Sequence, residues 1–88
     1  MPYIKKTITE ALGLPKEIVF GLPFLTLSGR EEIVIENHKG IIWADSCLMK
    51  IKSSCGIICI CGKELFIKEI APNCIRVRGS IEKLEFLI

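Results

Sequence analysis

The sequence predicts an all-β domain, a two-layer antiparallel β-sandwich of about eight short strands. Ile occupies 16 of the 88 positions while aromatic residues make up 7%, and β-branched residues favour strands over helices. From Leu25 to the C-terminus, apolar residues alternate with polar ones at a period of two, and turn residues separate the alternating runs. Such alternation buries one face of each strand against a second sheet.

Residues 1–24 differ from the rest and are predicted to form an N-terminal docking segment with one or two short helical turns. Thr7 and Glu10 fit a capping box at the start of a helix, and Pro15 suits the first position of a second turn. Helices this short are not stable alone, so they are expected to dock on another surface. The apolar face available for docking would carry Ile4, Ile8 and Leu12.

Residues 25–88 are predicted to form the all-β domain, in four weakly similar units that begin near positions 25, 41, 58 and 75. Three of the predicted turns begin with glycine at matching places, namely Gly29, Gly62 and Gly79. Because a repeat of about 16 residues also suits other arrangements, a flattened barrel and a short β-solenoid stay open as alternatives. The apolar pairs that define the strands are Leu25/Leu27, Ile33/Ile35, Ile41/Trp43, Met49/Ile51, Ile58/Ile60, Leu65/Ile67, Ile75/Val77 and Leu84/Phe86.

Charge and hydropathy narrow the classes of protein to consider. A net charge of +2 is too small for an electrostatic nucleic-acid binder, which normally carries a clear basic excess. The apolar run at 57–61 is far shorter than a membrane span, and the N-terminus has no apolar core typical of a signal peptide. A cytoplasmic location is therefore expected.

Cations gather on the strand positions that are out of phase with the apolar pairs. They should face solvent and give an outer surface that is mostly basic. The simplest interpretation is a solvated sheet face; the alternative is a site for anionic lipid headgroups or for an acidic partner. The cations concerned are Lys50, Lys52, Lys68, Arg76 and Arg78.

Five cysteines suggest a metal or redox module as a second hypothesis. Cys55, Cys59, Cys61 and Cys74 are the candidate ligands, but their spacing matches no common zinc motif. Because Cys59 and Cys61 lie two apart on one predicted strand, their side chains are almost 7 Å apart along it, roughly twice the separation expected for two sulfurs on one zinc. The cysteines are therefore interpreted as small packing residues, with no metal or cofactor expected.

The single histidine lies in the segment Asn37, His38, Lys39 and Gly40. Asn and Gly tolerate positive φ, so the segment is predicted to be a hairpin turn between two apolar pairs. The sequence shows no nucleophile motif, phosphate-binding loop or His-Glu-x-x-His motif, so no enzymatic activity is expected.

The sequence resembles the YabP/YqfC family of sporulation proteins and is closest to its YqfC branch. The resemblance rests on the Leu-Pro-Lys-Glu opening at 14–17, the Ile-Glu-Asn-His-Lys-Gly segment at 35–40 and the glycine-containing strand repeats at 60–68 and 77–81. It covers nearly the whole chain from Leu14 to Phe86. The family pattern does not call for the cysteines of this chain, which counts further against a metal role.

The resemblance implies a small all-β protein of endospore-forming bacteria, made in the mother cell and without enzymatic activity. It also implies a partner like YqfD, a larger membrane-associated sporulation protein, and thus a peripheral location at the forespore membrane. The leading hypothesis is a structural or assembly factor whose contact surfaces are the segment 37–40, the basic strand face and the N-terminal helices. Self-association through an edge strand and peripheral binding to anionic membrane are the related alternatives.

Overall fold

Residues 21–88, described by a computed structural model, form one open antiparallel sheet of six strands in the order β1-β2-β6-β5-β4-β3. The all-β prediction is confirmed, and this part of the chain contains no helix. The expected N-terminal helical turns, with Ile4, Ile8 and Leu12, lie outside the described residues. The strands are β1 (Phe24–Ser28), β2 (Glu32–Glu36), β3 (Ile41–Ala44), β4 (Leu48–Ser53), β5 (Gly56–Ala71) and β6 (Cys74–Leu87).

The prediction of about eight short strands in two separate sheets is wrong. Strands β5 and β6 have 16 and 14 residues, and each contains two of the predicted apolar pairs. Gly62 and Gly79, predicted to begin turns, lie inside these strands, whereas Gly29 does occupy a turn, with φ 59°. The four units of the sequence are therefore not four hairpins.

Gly62 and Gly79 mark the place where the long β5–β6 hairpin becomes irregular. The register shifts between Cys61 and Gly62, and again before Phe66. Gly79 has a φ of 140°, a conformation that L side chains rarely adopt, and a Cβ there would lie 2.6 Å from the carbonyl oxygen of Glu64. A Cβ on Gly62 would overlap with the carbonyl oxygen of Ser80. Glycine is needed at both positions because the two backbones approach each other closely across bulges that bend the strands.

Strands β2 and β3 are not partners, so the hairpin predicted between them is wrong. Strand β2 pairs with β1 and β6, while β3 pairs with β4 at the far edge of the sheet. The local chemistry was predicted correctly, since Asn37 and Gly40 have φ values of 65° and 119°. The segment is thus a connection between the two flanks of the sheet, a role that local turn residues do not reveal.

The core is one cluster built mostly from isoleucine. Ile33 and Ile35 of β2 belong to the same buried cluster as Met49 and Ile51 of β4. Because β2 and β4 lie three strands apart, the sheet must curve until its flanks share one interior. The other buried members of the cluster are Ile58, Ile60, Leu65, Ile75, Val77 and Ile81.

No helix in the described part is long and apolar enough to cross a membrane.

Replacing Gly79 by alanine should destabilise the protein more than replacing Gly40. Both glycines have positive φ, but a Cβ on Gly40 meets nothing within 4 Å, whereas on Gly79 it meets backbone. We expect Gly40→Ala to cost on the order of 1 kcal/mol and Gly79→Ala about 3 kcal/mol or more. Urea unfolding followed by circular dichroism measures both. Equal losses in the two variants would contradict the bend described for β6.

Candidate functional site

The segment 37–40 forms hydrogen bonds with three other parts of the chain, namely the β5–β6 turn, the residues before β1, and β4. The Asn37 amide donates to the carbonyl of Asn73 in the β5–β6 turn at 2.7 Å, and the Asn37 side chain donates to the carbonyl of Leu22 at 3.0 Å. The Lys39 amide donates to the carbonyl of Lys52 at 2.7 Å, and the Lys52 amide donates to the carbonyl of Gly40 at 2.8 Å. These bonds hold the connection between the flanks of the sheet in place.

His38 uses both of its ring nitrogens inside this connection. The Gly40 amide donates to Nδ1 at 3.0 Å, so the ring proton lies on Nε2, which is 3.1 Å from the carbonyl oxygen of Ala71 and donates to it. The imidazole thus links its own loop to the end of β5. Asn37, His38, Lys39 and Gly40 were predicted as partner contacts; the structure gives their backbone or ring atoms bonds within the fold, and the Lys39 side chain is exposed.

The cations predicted to form one basic face lie on two separate flanks of the sheet. Lys50 and Lys52 are on β4, opposite Cys59 and Ile57. Arg76 and Arg78 are on the first half of β6, opposite β2. Lys68 of β5 is exposed on the same flank as the arginines, between the residues that lie opposite Val77 and Arg76. Alternation of buried and outward residues holds on both strands, but β4 and the first half of β6 belong to different flanks, so the five cations do not form one surface.

The two arginines are paired with carboxylates. Arg76 Nη1 lies 2.7 Å from Glu32 Oε2, and Arg76 Nε lies 3.2 Å from Glu69 Oε1. Arg78 Nε lies 3.7 Å from the other oxygen of Glu32. The hydrogen bonds to Glu69 and then to Glu32 raise the pKa of Arg76 above its ordinary value. This flank is an internally balanced ion-pair network rather than a basic patch.

Lys50 and Lys52 belong instead to a mixed apolar and basic surface. The register places Trp43 next to Lys50, and Ile57 next to Lys52. Leu87 of β6 follows on the other side of Ile57. Lys50 and Lys52 form no salt bridge with another described residue. We call the set Trp43, Lys50, Lys52, Ile57 and Leu87 the β4 outer surface.

Trp43 is the member of this surface that the sequence pattern does not reveal, because regular alternation places it on the buried side of a strand. The register shifts between Ile41 and Trp43, so Ile42 is the extra residue of a bulge and Trp43 turns outward. Its side chain is 54% exposed. The Ile41-Ile42 doublet, which interrupts the alternation, is the signal in the sequence that could have indicated the bulge.

Asp45 organises the turn that follows Trp43. Its Oδ1 accepts from the amides of Cys47 and Leu48, each at 2.8 Å. Its Oδ2 accepts from Trp43 Nε1 at 2.9 Å. These bonds lower the pKa of Asp45, with the Cys47 amide contributing most, because each of them favours the charged carboxylate. The indole is thereby held at the edge of the β4 outer surface.

The cysteines predicted as possible ligands are spread over the fold. Cys55 is exposed in the β4–β5 turn, and Cys74 begins β6 opposite Glu36. Cys59 is buried beside Lys50, with Cys61 two residues further along the same strand. Within residues 21–88, no three His, Cys, Asp or Glu side chains are grouped as they would be around a metal ion.

Comparison with known proteins identifies the family. The model of the YabP family matches residues 23–87, which contain all six strands. The chain belongs to the YabP family. It is also 32% identical over 84 residues to the uncharacterized protein YqfC of Bacillus subtilis (strain 168), an alignment that covers 96% of this chain and 90% of YqfC. Membership in this family suggests that the protein is associated with sporulation.

His38→Phe should destabilise the protein, because it keeps a ring but leaves the Gly40 amide and the Ala71 carbonyl without their partner. We expect a loss of about 1 to 3 kcal/mol in the free energy of unfolding. Lys39→Gln, at the exposed neighbouring position, is the control and should change stability by less than about 0.5 kcal/mol. Denaturant unfolding of both proteins checks this. A His38→Phe protein as stable as the control would show that the imidazole does not hold the connection.

The β3–β4 turn should loosen in acid. The folded-state pKa of Asp45 is lowered, so its stabilising effect is present above the ordinary pKa and is lost as the pH falls through the lowered one. Because Trp43 is the single tryptophan of the chain, its fluorescence should change below about pH 4. In Asp45→Asn this transition should be absent. An identical acid transition in the two proteins would assign it to other carboxylates.

Proposed function

We propose that this protein is a non-enzymatic structural or assembly factor in endospore formation. It works by binding a membrane-associated sporulation partner, similar to YqfD, on the mother-cell side of the forespore membrane. The observation that carries the proposal is membership in the YabP family, with the family model extending over residues 23–87. The 32% identity to YqfC, over 96% of the chain, supports the same family membership.

The β4 outer surface is the contact that we assign to this partner. Tryptophan is enriched among the residues that dominate binding energy at protein interfaces, and Trp43 is held half-exposed by its bond to Asp45. Lys50 and Lys52 lie beside it without a carboxylate partner in the described part of the chain. An aromatic anchor flanked by unpaired cations suits a partner segment that is apolar and acidic.

The same surface supports a second candidate, direct contact with the anionic membrane. Tryptophan favours the headgroup region of a bilayer, and each lysine near an anionic surface adds about 1 kcal/mol of attraction. The two candidates differ in their dependence on salt and on protein. Binding to phosphatidylglycerol vesicles that fades as salt is added would favour the membrane, whereas binding that needs the partner protein would favour the assembly role.

The surface is tested by reversing its charge in sporulating cells. We expect Lys50→Glu with Lys52→Glu to reduce co-purification of the YqfD-like protein at least tenfold and to lower the yield of heat-resistant spores. Trp43→Ala should weaken co-purification as well, because it removes the aromatic anchor. The matched control is Arg30→Glu with Lys68→Glu, which makes the same change in net charge at two exposed positions outside this surface.

Three quantities are measured: the amount of YqfD-like protein that co-purifies, the yield of heat-resistant spores, and the position in the cell of a fluorescent fusion of this protein. Equal losses in the β4 variants and in the control would show that net charge, and not this surface, matters. Full spore yield and full co-purification in the β4 variants would contradict the assigned contact. Normal spores from cells that lack the protein altogether would contradict the sporulation role itself.

A further inference from the structure

We propose that the β1 edge pairs with β1 of a second copy of this chain, antiparallel, to form one continuous sheet across a two-fold axis. This inference rests on the geometry of the edge and is independent of the partner assigned to the β4 outer surface. Strand β1 is one of the two edge strands of the sheet, and no other strand of residues 21–88 pairs with its outer side.

The two edges of the sheet differ in how well they are protected. Strand β3 has four residues and a register shift at Ile42, and bulges of this kind protect an edge from further pairing. Strand β1 pairs with β2 over all five of its residues without a shift. Its sequence, Phe-Leu-Thr-Leu-Ser, contains no charge and no proline. Charged residues, proline and bulges, three of the devices that keep an edge from accepting another strand, are therefore missing from β1.

The sequence of β1 is complementary to itself. With the axis at Thr26, this residue lies opposite its own copy, and Leu25 lies opposite Leu27 of the second chain. Opposed residues of antiparallel strands share a face, so the leucines would meet leucines and the threonines would meet each other. Such Thr–Thr and apolar cross-strand pairs are favourable, and no like charges are brought together.

Pairing would also complete the burial of the inner face. Leu27 lies opposite Ile33, which is fully buried, yet Leu27 itself is 50% exposed. In the proposed dimer, Leu25 of the second copy covers Leu27 and extends the core row by one strand. A second copy fits better than a charged partner, since β1 offers no charge to be complemented, and two-fold dimers are the commonest assemblies.

The experiment measures self-association of the full chain by sedimentation equilibrium between about 1 μM and about 1 mM. We expect a monomer–dimer equilibrium within this range. Thr26→Lys places two like charges on the axis and should raise the dissociation constant at least tenfold, and Thr26→Glu should do the same. An equimolar mixture of these two variants should recover the dimer, because each chain then meets the opposite charge. Circular dichroism confirms that each variant is folded.

The control is Ile42→Lys, at the 51% exposed bulge residue of the other edge, which should dimerise like the unaltered protein. Amide hydrogen exchange of the unaltered protein adds a reading that needs no variant: protection in β1 should rise with concentration. An unaltered protein that is monomeric up to about 1 mM would overturn the proposal. A mixture of Thr26→Lys and Thr26→Glu that stays monomeric would also overturn it, as would an Ile42→Lys variant that loses the dimer. So would amide protection in β1 that does not depend on concentration, which is expected if another part of the same chain covers this edge.

Discussion

The close approach of two backbones at Gly62 and Gly79 determines the shape of everything else in the sheet. Strands β5 and β6 are the central strands, and their pairing shifts register at both glycines. The bend is possible where Cβ atoms are absent, since a side chain at either glycine would meet the carbonyl backbone of the facing strand. Each long strand then serves both flanks of the sheet, and one cluster of isoleucines is enclosed between them. A chain of 88 residues thus obtains a single core from one sheet.

The bend also explains why the segment 37–40 forms so many hydrogen bonds with distant parts of the chain. Because β2 and β3 belong to opposite flanks, the chain between them has to cross the end of the β5–β6 hairpin. His38 and Asn37 form hydrogen bonds with Ala71 and Asn73, which lie at the end of this hairpin. The Lys39 amide forms a hydrogen bond with β4. These contacts bridge residues about 13 to 36 positions apart in sequence. The segment 37–40 therefore joins the two flanks of the sheet by hydrogen bonds, and its polar groups contribute to the fold before any partner is present.

Alternation in the sequence was sufficient to predict the all-β class and most of the buried side, because Ile33, Ile35 and Ile75 keep the phase of a regular strand. It could not predict how the strands pair, since a glycine that permits a turn and a glycine that permits a bend look the same in sequence. For the same reason the basic surface was overestimated. Arg76 and Lys50 both occupy outward-facing positions of their strands. The two strands lie on different flanks of the sheet, however, and on its flank Arg76 forms ion pairs with carboxylates. Trp43 was misplaced because one inserted residue reverses the facing of those after it.

These corrections change where a contact surface should be sought in this protein. The Asn-His-Lys-Gly segment supports the family resemblance most clearly, but the structure uses its ring nitrogens and several of its amides to close the fold. A residue so engaged affects binding chiefly by altering stability, so a loss of function after its substitution would not by itself locate an interface. Trp43, Lys50 and Lys52 differ, because their side chains stand outside the buried cluster, so we expect their substitution to cost less stability. Stability and partner binding should be compared between variants of the segment 37–40 and variants of the β4 outer surface. The comparison distinguishes substitutions that weaken the fold from substitutions that weaken the contact.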